Sequence, residues 1–500
     1  MTVLEAHGVG VAWAASMPVW KDVTFVLERG FYGLVGANGA GKTTLLRVLA
    51  GEIAPHEGTV RLRPADATVV HCPQTIDEIG VDVLALADAN DGLAAELKGR
   101  LALDGNELRR WPTLSPGERK RWQIGAALAR EPDVLLLDEP TNHLDGEARE
   151  RLLGALGRFR GIGLVVSHDR EVLERLPRGI LRVHDGAITL HAGRWSDARS
   201  AWEAERRAAE EAHGAAKAAV RAAERRLDAA RREKEAAARS LGARSRMKNK
   251  NDHDARSMGS KVVAGWADDR AGRTVQTIRG ELARRQALVP KIGRDPTLGG
   301  TVFAAFERAP HAVLFHLDAP SLVAGDRVVL HDVRVTLGRE ERVRIVGANG
   351  AGKTTLLSAL VASRPRDGRV LFLPQELSPH AVRELLGELE EATDDERGRI
   401  LSVFAALGSD PARILARRIE SQPTISPGEA RKLALASGLG RHAWALVLDE
   451  PTNHLDLPTI ERLERAVSSY PGCLVMVSHD EAFARAVTTR TLRVDGGVVA

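Results

Sequence analysis

The sequence predicts an α/β fold in which two tandem copies of one domain are joined by a long α-helical hairpin. Four strings recur along the 500 residues at one constant offset of 311, which indicates a duplicated domain. Between the copies lies a segment rich in Ala, Glu, Arg and Lys, a composition typical of long helices. We assign residues 1–196 to a first repeat, 197–304 to a linker and 305–500 to a second repeat.

The repeated strings are GANGAGKTTLL, SPGE, LDEPTNHLD and VSHD, which begin in the first repeat at Gly36, Ser115, Leu137 and Val166. One landmark departs from this spacing, because the Pro-Gln dipeptides end at Gln74 and Gln375, an offset of 301. We attribute the ten-residue difference to loop length within two copies of one fold.

The linker is predicted to form two helices, over residues 199–240 and 262–288, joined by a basic tip at residues 239–261. From Arg199 to Lys291 there are 23 Lys and Arg against 13 Asp and Glu, whereas the rest of the chain has 48 against 54. A basic segment in an acidic body favours binding of a polyanion such as RNA. The alternatives are a solvated helical surface and a flexible charged linker.

Cysteine usage and hydropathy exclude several classes of protein. The two cysteines, Cys72 and Cys473, are too few for a zinc cluster or a disulfide framework, which favours a reducing compartment. The first residues do not resemble a signal peptide, and no uncharged apolar run reaches the roughly 18 residues of a membrane span. These patterns predict a cytoplasmic protein without a membrane segment of its own.

Each repeat contains a phosphate-binding loop of the form G-x-x-x-x-G-K-T between a β-like run and a helical run. Glycines let backbone N–H groups wrap phosphates, and the following helix N-terminus favours negative charge. Lys42 and Lys353 are predicted to contact the β- and γ-phosphates, and the Thr43 and Thr354 hydroxyls to ligate Mg²⁺. The predicted phosphate-loop residues are Gly36, Asn38, Gly39, Gly41, Lys42, Thr43 and Thr44, and Gly347, Asn349, Gly350, Gly352, Lys353, Thr354 and Thr355.

Two apolar strands end in paired acids, at Asp138-Glu139 and Asp449-Glu450. The carboxyl edge of a parallel sheet is where such folds place ligand chemistry. We predict that Asp138 and Asp449 hold Mg²⁺, directly or through water. Glu139 and Glu450 are the candidate general bases for an attacking water.

A second pair of apolar strands ends in Ser-His-Asp, at residues 167–169 and 478–480. His168 and His479 are predicted to sense the γ-phosphate and to position the water. A lone strand-end histidine is more often structural, but these two share the offset of the other motifs.

The order of these motifs resembles that of the ATP-binding-cassette ATPases, and SPGE of this chain stands where that family has its signature loop, usually LSGGQ. The resemblance implies ATP as the nucleotide and a head-to-tail arrangement, with Ser426 and Gly428 facing Lys42, and Ser115 and Gly117 facing Lys353. It adds Gln74 and Gln375 to the residues at the metal. Pro116 and Pro427 replace a glycine of the family's signature, and a glutamate replaces its glutamine, which leaves the turnover rate open.

The resemblance also implies an aromatic side chain stacked on adenine near the first strand. Trp13 is the candidate in the first repeat. The corresponding region of the second repeat, around Leu322, contains no aromatic residue.

The charged helical linker and the P-T-N-H-L-D string after each L-D-E-P resemble, more narrowly, the ABC-F family. That resemblance implies a monomer whose repeats pair intramolecularly, which binds the ribosome with ATP and places its linker near tRNA and the peptidyl-transferase centre. The role implied is protection against antibiotics or regulation of translation; the compact layout is more similar to the resistance members. The residues expected to contact rRNA or tRNA are Arg244, Arg246, Lys248 and Lys250.

Two other functions remain open from the sequence. The chain is alternatively the nucleotide-binding engine of a multi-chain transporter, although the long basic linker argues against this and co-purification with a membrane protein would favour it. A DNA-repair or chromosome-structure ATPase is the third possibility. The two cysteines do not supply the zinc modules of the repair proteins. The chromosome proteins place the two halves of one cassette at the ends of a very long coiled coil, whereas each repeat of this chain contains the full set of motifs.

Overall fold

The computed structural model describes residues 2–14, 17–142, 144–240, 258–287, 306–364, 369–416 and 425–500. The predicted RNA-contacting residues Arg244, Arg246, Lys248 and Lys250 lie outside the described residues.

The first repeat is built from nine strands and six α-helices within the described residues. The strands are β1 (Val3–Ala14), β2 (Met17–Glu28), β3 (Gly30–Gly36), β4 (Glu57–Arg63), β5 (Val69–Cys72), β6 (Val134–Asp138), β7 (Ile162–Val166), β8 (Pro177–His184) and β9 (Ala187–Ala192). The helices are α1 (Lys42–Leu49), α2 (Val81–Asp88), α3 (Gly92–Leu101), α4 (Pro116–Ala129), α5 (Gly146–Leu156) and α6 (Arg170–Arg175), with a 3₁₀ helix at Gly105–Thr113.

The core of this repeat is a six-stranded sheet with the order β5-β6-β7-β3-β8-β9. The first five strands are parallel and β9 is antiparallel to β8. Every residue of β6 and β7 is buried, as expected for parallel strands covered on both faces. The carboxyl ends of β3, β6 and β7 therefore lie side by side at one edge, where the sequence places the phosphate loop, the acid pair and the histidine.

The linker contributes α7 (Trp195–Ser240) and α8 (Met258–Ala287), and Arg199–Arg294 form a compact unit of their own. Both helices were predicted, and α7 begins four residues earlier than expected. Salt bridges four residues apart stabilise α7, for example Arg199 to Glu203 at 3.0 Å. Arg285 Nη1 of α8 lies 3.5 Å from Ala219 O of α7, so the helices contact each other as a hairpin.

The second repeat has the same plan. Its strands are β10 (Val313–Ala324), β11 (Arg327–Gly338), β12 (Arg342–Val346), β13 (Val370–Leu373), β14 (Ala445–Asp449), β15 (Cys473–Val477), β16 (Arg490–Asp495) and β17 (Val498–Val499). Its helices are α9 (Lys353–Ala362), α10 (Pro379–Glu391), α11 (Asp394–Ala406), α12 (Pro411–Ala416), α13 (Pro427–Gly440), α14 (Leu457–Ser468) and α15 (Glu481–Val487). The sheet order β13-β14-β15-β12-β16-β17 matches that of the first repeat.

The repeats differ in their smaller sheets. In the first repeat β4 pairs with β1 to give the order β2-β1-β4, whereas β10 and β11 form a two-stranded sheet within the described residues. The residues that make β4 fall in the stretch where the second repeat is ten residues shorter before its glutamine. In the first repeat this stretch is therefore not loop alone, because it contains a paired strand; residues 365–368 of the corresponding stretch in the second repeat lie outside the described residues.

Candidate active site

The phosphate loops connect β3 to α1 and β12 to α9. Gly41 and Gly352 have φ values of 94° and 100°, a region that favours glycine. A Cβ at Gly41 would also lie 2.4 Å from Val19 Cγ1, so no side chain fits there. Lys42 Nζ donates to Gly36 O at 2.8 Å and to Ala37 O at 3.0 Å, which places the amino group inside the loop.

The lysine of the second repeat has the same geometry. Lys353 Nζ donates to Gly347 O at 2.9 Å and to Ala348 O at 2.8 Å. Both lysine side chains are mostly buried, with 8% and 9% of their surface exposed. Each loop therefore has a desolvated positive charge at its centre, the environment in which a phosphate is bound most strongly.

Each predicted metal site brings a hydroxyl against a carboxylate. Thr43 Oγ1 donates to Asp138 Oδ2 at 2.7 Å, and Thr354 Oγ1 donates to Asp449 Oδ2 at 2.8 Å. Gln74 and Gln375 line the same cleft as these groups. The atoms that these residues offer to a metal ion are oxygens, which fits a hard cation such as Mg²⁺.

The predicted bases follow directly on these strands in a strained conformation. Glu139 and Glu450 each have a φ of 47°, which is uncommon for residues other than glycine. Their backbone N–H groups donate to Val166 O at 3.0 Å and to Val477 O at 2.9 Å, and these bonds stabilise the strained turn. Both carboxyl groups are buried, with 6% and 5% exposed.

The histidines contact these carboxyl groups twice. The backbone N–H of His168 donates to Glu139 Oε2 at 3.4 Å, and that of His479 donates to Glu450 Oε2 at 3.0 Å. In addition, Nε2 of each ring lies 3.3 Å and 3.4 Å, respectively, from the other carboxyl oxygen. A glutamate and a histidine are thus held together at each sheet edge. We call Lys42, Asp138, Glu139 and His168 the first centre, and Lys353, Asp449, Glu450 and His479 the second centre.

Burial sets the protonation of both pairs. It raises the pKa of Glu139 to about 8, against the opposing charge of Lys42, and the pKa of Glu450 to about 7. Burial and the neighbouring lysine lower the pKa of His168 to about 3 and that of His479 to about 4. Near neutral pH both imidazoles are neutral and both carboxyl groups lie close to their titration range.

One cleft of about 1260 Å³ between the repeats contains both centres. Besides the residues of the two centres, predicted site residues that line it are Asn38, Gly39, Gly41, Thr43, Thr44, Gln74, Ser115, Asn349, Gly350, Gly352, Thr354, Thr355, Gln375, Ser426 and Gly428. Three predicted residues, Gly36, Gly347 and Gly117, are not in the lining. Gly36 and Gly347 instead offer their carbonyls to the lysines, and Gly117 is buried in the first turn of α4.

The first centre is closed by hydrogen bonds between its phosphate loop and the other repeat. Asn38 N donates to Asp456 Oδ2 at 2.9 Å, and Asn38 Nδ2 donates to His454 O at 3.0 Å. A Cβ at Gly428 would lie 2.8 Å from His454 O of its own repeat and 3.8 Å from Asn38 Nδ2 of the first repeat. The phosphate loop of one repeat therefore lies against the SPGE segment of the other. Within the described residues, Asn349 of the second centre makes no matching bond to the first repeat.

The departure of SPGE from the family's signature has a local structural reason. Ser115 is the N-cap of α4, Pro116 is its first residue, and Glu118 closes a capping box with Ser115. Ser426 and Glu429 form the same box at α13. The glutamate and proline therefore stabilise the helix start, and they keep each serine at the helix N-terminus facing the cleft.

The residue predicted to stack on adenine is only partly described. Trp13 lies in β1, but its side chain is outside the described part of the structure. Ala324 at the end of β10 and Val329 in β11 line the cleft that contains the second centre. The aromatic at Trp13 stays a prediction.

Sequence reasoning missed a buried cation beside each centre. Lys120 Nζ donates to the carbonyls of Pro73, Gln74 and Asp138 at 2.5, 3.3 and 3.0 Å. Arg431, 311 residues later, donates to the carbonyls of Pro374, Gln375, Asp449 and Glu450 at 2.6–3.2 Å. Each cation ties the glutamine loop to the strand that carries the acids. A basic residue five positions after each SPGE serine is the signal that was available.

Comparison with known proteins identifies the class. A family model described as ABC transporter matches residues 20–142 and 330–453. A solved structure of an RNase-L inhibitor covers 99% of the chain and 90% of its own, with a TM-score of 0.62 at 20% identity, which supports the fold. Fold and site together define a tandem ATP-binding-cassette ATPase.

Full-length relatives narrow this class. The tylosin resistance ATP-binding protein TlrC of Streptomyces fradiae is 32% identical over 99% of this chain and 98% of its own. The ribosome protection protein VmlR of Bacillus subtilis is 28% identical over 95% and 83%. The energy-dependent translational throttle protein EttA of Escherichia coli is 27% identical over 98% and 92%. The chain belongs to the ABC-F family, and it is an ATP hydrolase.

The predicted fold class and family are thus confirmed. Among the described residues no helix combines the length and apolar character that crossing a membrane requires.

We expect Arg431→Met to reduce ATP hydrolysis strongly, because it leaves buried carbonyls of the glutamine loop and the acid strand without a donor, at about 1–3 kcal/mol for each. Steady-state hydrolysis and thermal unfolding measure the effect. The matched control is Arg431→Lys, since lysine occupies the equivalent position 120. Equal losses for the methionine and lysine variants would contradict the account.

Proposed function

We propose that each centre hydrolyses ATP through residues of both repeats. In the first centre Lys42 neutralises the phosphates, while Ser426 and Gly428 of the other repeat approach from the opposite side. The closure of Asn38 against Asp456 and His454 is the observation that supports this arrangement. The second centre pairs Lys353 with Ser115 in the same way.

Glu139 and Glu450 are proposed as the general bases. Each lies beside a histidine that is neutral near pH 7, so its ring nitrogens can accept or donate a hydrogen bond to water or phosphate. The strained backbone at each glutamate holds its carboxyl group toward the cleft. A base with a pKa near the working pH removes a proton from water most efficiently.

Mg²⁺ fits the oxygen donors of both centres. Thr43 and Asp138, with Gln74, would hold it in the first centre, and Thr354, Asp449 and Gln375 in the second. When bound, the cation supplies neutralisation of charge on the phosphate oxygens. The protein's own contribution is to fix the hydroxyl and the carboxylate within hydrogen-bond distance of each other.

We propose that the ATP-bound protein binds the ribosome and leaves it after hydrolysis, protecting it from antibiotics or regulating translation. Support comes from relatives matched over 83% and 92% of their length, one named a ribosome protection protein and one a translational throttle protein. Names of two further relatives state resistance to tylosin and to erythromycin. A monomer in the cytoplasm, with the repeats paired within one chain, is the form we propose to be active.

The linker is proposed to contact ribosomal RNA or tRNA near the peptidyl-transferase centre. Its excess of basic residues, 23 against 13 acidic, supports binding to phosphate groups. Arg244, Arg246, Lys248 and Lys250 are the proposed contacts.

The raised pKa values of Glu139, about 8, and of Glu450, about 7, predict a pH dependence for hydrolysis at each centre. A base acts only when deprotonated, so hydrolysis increases as pH rises through its pKa. In Glu450→Gln, where the first centre remains, and in Glu139→Gln, where the second remains, the rate should therefore fall as the pH is lowered from about 9 to about 6. Rate profiles for both variants test this, and a rate that stays constant down to the ordinary pKa of a glutamate, about 4.3, would contradict it.

The double variant Glu139→Gln, Glu450→Gln should bind ATP without hydrolysing it and stay in its closed form. We expect it to sediment with ribosomes in ATP but not in ADP. Absence of ribosome binding in either nucleotide, while the unchanged protein hydrolyses ATP, would refute the ribosome proposal and favour a membrane partner. Adding ribosome-targeting antibiotics next separates protection from regulation.

Neutralising Arg244, Arg246, Lys248 and Lys250 with Gln should weaken ribosome binding and flatten its dependence on salt, by about one unit of slope for each lost phosphate contact. Affinity measured in a salt series checks this, with the same changes at the exposed Arg206 and Arg207 of α7 as a control. An unchanged slope in the tip variant would contradict the RNA-contact proposal.

A further inference from the structure

Arg149 is a buried cation between the histidine segments of the two repeats. It lies in α5 of the first repeat, and only 7% of the residue is exposed. Its Nη1 donates to Asp169 Oδ2 of its own repeat at 3.2 Å and to the carbonyl oxygen of His479 in the other repeat at 3.0 Å. Its Nη2 lies 3.4 Å from Glu171 Oε2.

The contact to His479 is the one through which Arg149 reaches the second centre. Among the described residues, the group that donates a hydrogen bond to the His479 carbonyl is the Arg149 guanidinium. The same histidine donates its backbone N–H to Glu450. One peptide segment thus connects the guanidinium of the first repeat to the base of the second centre.

The arginine is not repeated. The residue 311 positions later is Ile460, which lines the same cleft and is buried in the core of the second repeat. Within the described residues, the His168 carbonyl of the first centre therefore receives no corresponding bond across the interface.

A second ion pair across the interface is asymmetric in the same way. Arg170 Nη1 lies 2.5 Å from Glu464 Oε2 of the other repeat. The residues at the equivalent positions are Glu481 and Leu153, which cannot form this pair. Glu481 instead pairs with Arg344 of its own repeat at 2.6 Å. The two histidine segments are thus held by different contacts, although the catalytic motifs are the same.

We propose that Arg149 is a positioning residue for His479, so that the second centre reaches its full hydrolysis rate only when the first repeat is docked against it. The histidine segment of the first centre has no corresponding arginine, and that centre contacts the other repeat through Asn38, Asp456 and His454. Arg149 makes the two centres unequal while both retain the same catalytic groups. This inference rests on the proposed roles of Glu450 and His479.

The bond to Asp169 does not give Arg149 the same influence on the first centre. Asp169 Oδ1 accepts from Glu171 N and Val172 N, and Asp169 N donates to Ser167 Oγ; Asp480 makes matching bonds to Phe483 N and Ser478 Oγ, so each aspartate caps its own helix without the arginine. The difference is that Arg149 bonds directly to the His479 carbonyl, whereas it meets the first segment at the Asp169 side chain. Removing Arg149 therefore frees the His479 carbonyl more than it changes His168.

The test places Arg149→Met in two backgrounds. In Glu139→Gln only the second centre turns over, and we expect kcat to fall about tenfold, the effect of losing one charge-assisted hydrogen bond, with KM for ATP little changed. In Glu450→Gln only the first centre turns over, and we expect a change of less than about twofold. Equal losses in both backgrounds, or no loss in Glu139→Gln, would overturn the proposal.

Two controls separate positioning from general damage. Arg151→Met removes an exposed arginine of the same helix, paired with Glu147, and should leave both rates unchanged. Arg149→Met combined with His479→Ala in the Glu139→Gln chain should lose less activity than the two single losses combined, because the arginine acts in part by orienting the histidine ring. Additive losses would show a structural role only.

Failure of this inference can be distinguished from failure of the proposed function. If Glu450 is not a base, Glu450→Gln will hydrolyse ATP as fast as the unchanged chain, whatever Arg149 does. If the base assignment holds and only the Arg149 effect is missing, this inference alone fails.

Discussion

The contact between the two repeats is the constraint on which the rest of the structure depends. Asn38 of one phosphate loop bonds to Asp456 and His454 of the other repeat, and a Cβ at Gly428 would lie 3.8 Å from Asn38 Nδ2. In the arrangement we propose, neither repeat alone encloses a nucleotide, because the capped helix that faces each lysine comes from the other half. Duplication within one chain ensures that the partner is always present.

Within each repeat the sheet performs a second task. Parallel strands buried on both faces end together, so the phosphate loop, the acid pair and the histidine meet without long connections. The glutamate has a strained backbone and is in contact with the histidine. The surrounding buried strands stabilise this strained conformation. Lys120 and Arg431 then join this edge to the glutamine loop through hydrogen bonds to its carbonyls.

Much of this could be predicted from the sequence because the repeated strings specify both the loop geometry and its chemistry. The groups whose role depends on tertiary packing could not be predicted from the sequence. Lys120 and Arg149 lie on helices as ordinary basic residues, and only tertiary packing shows which carbonyls they contact. The strand β4 was missed since a length difference between repeats does not reveal pairing with β1. The asymmetry of the histidine segments depends on contacts across the interface, which periodicity does not encode.

The central claim is that each centre uses the SPGE serine of the opposite repeat. Its most direct test is Ser426→Arg, which places a bulky charge at that helix start, measured in the two single-centre chains. The account predicts that ATP hydrolysis is lost in Glu450→Gln, where the first centre works, and retained in Glu139→Gln, where the second works. Loss in Glu139→Gln with retention in Glu450→Gln would mean that each repeat uses its own serine and would contradict the head-to-tail arrangement.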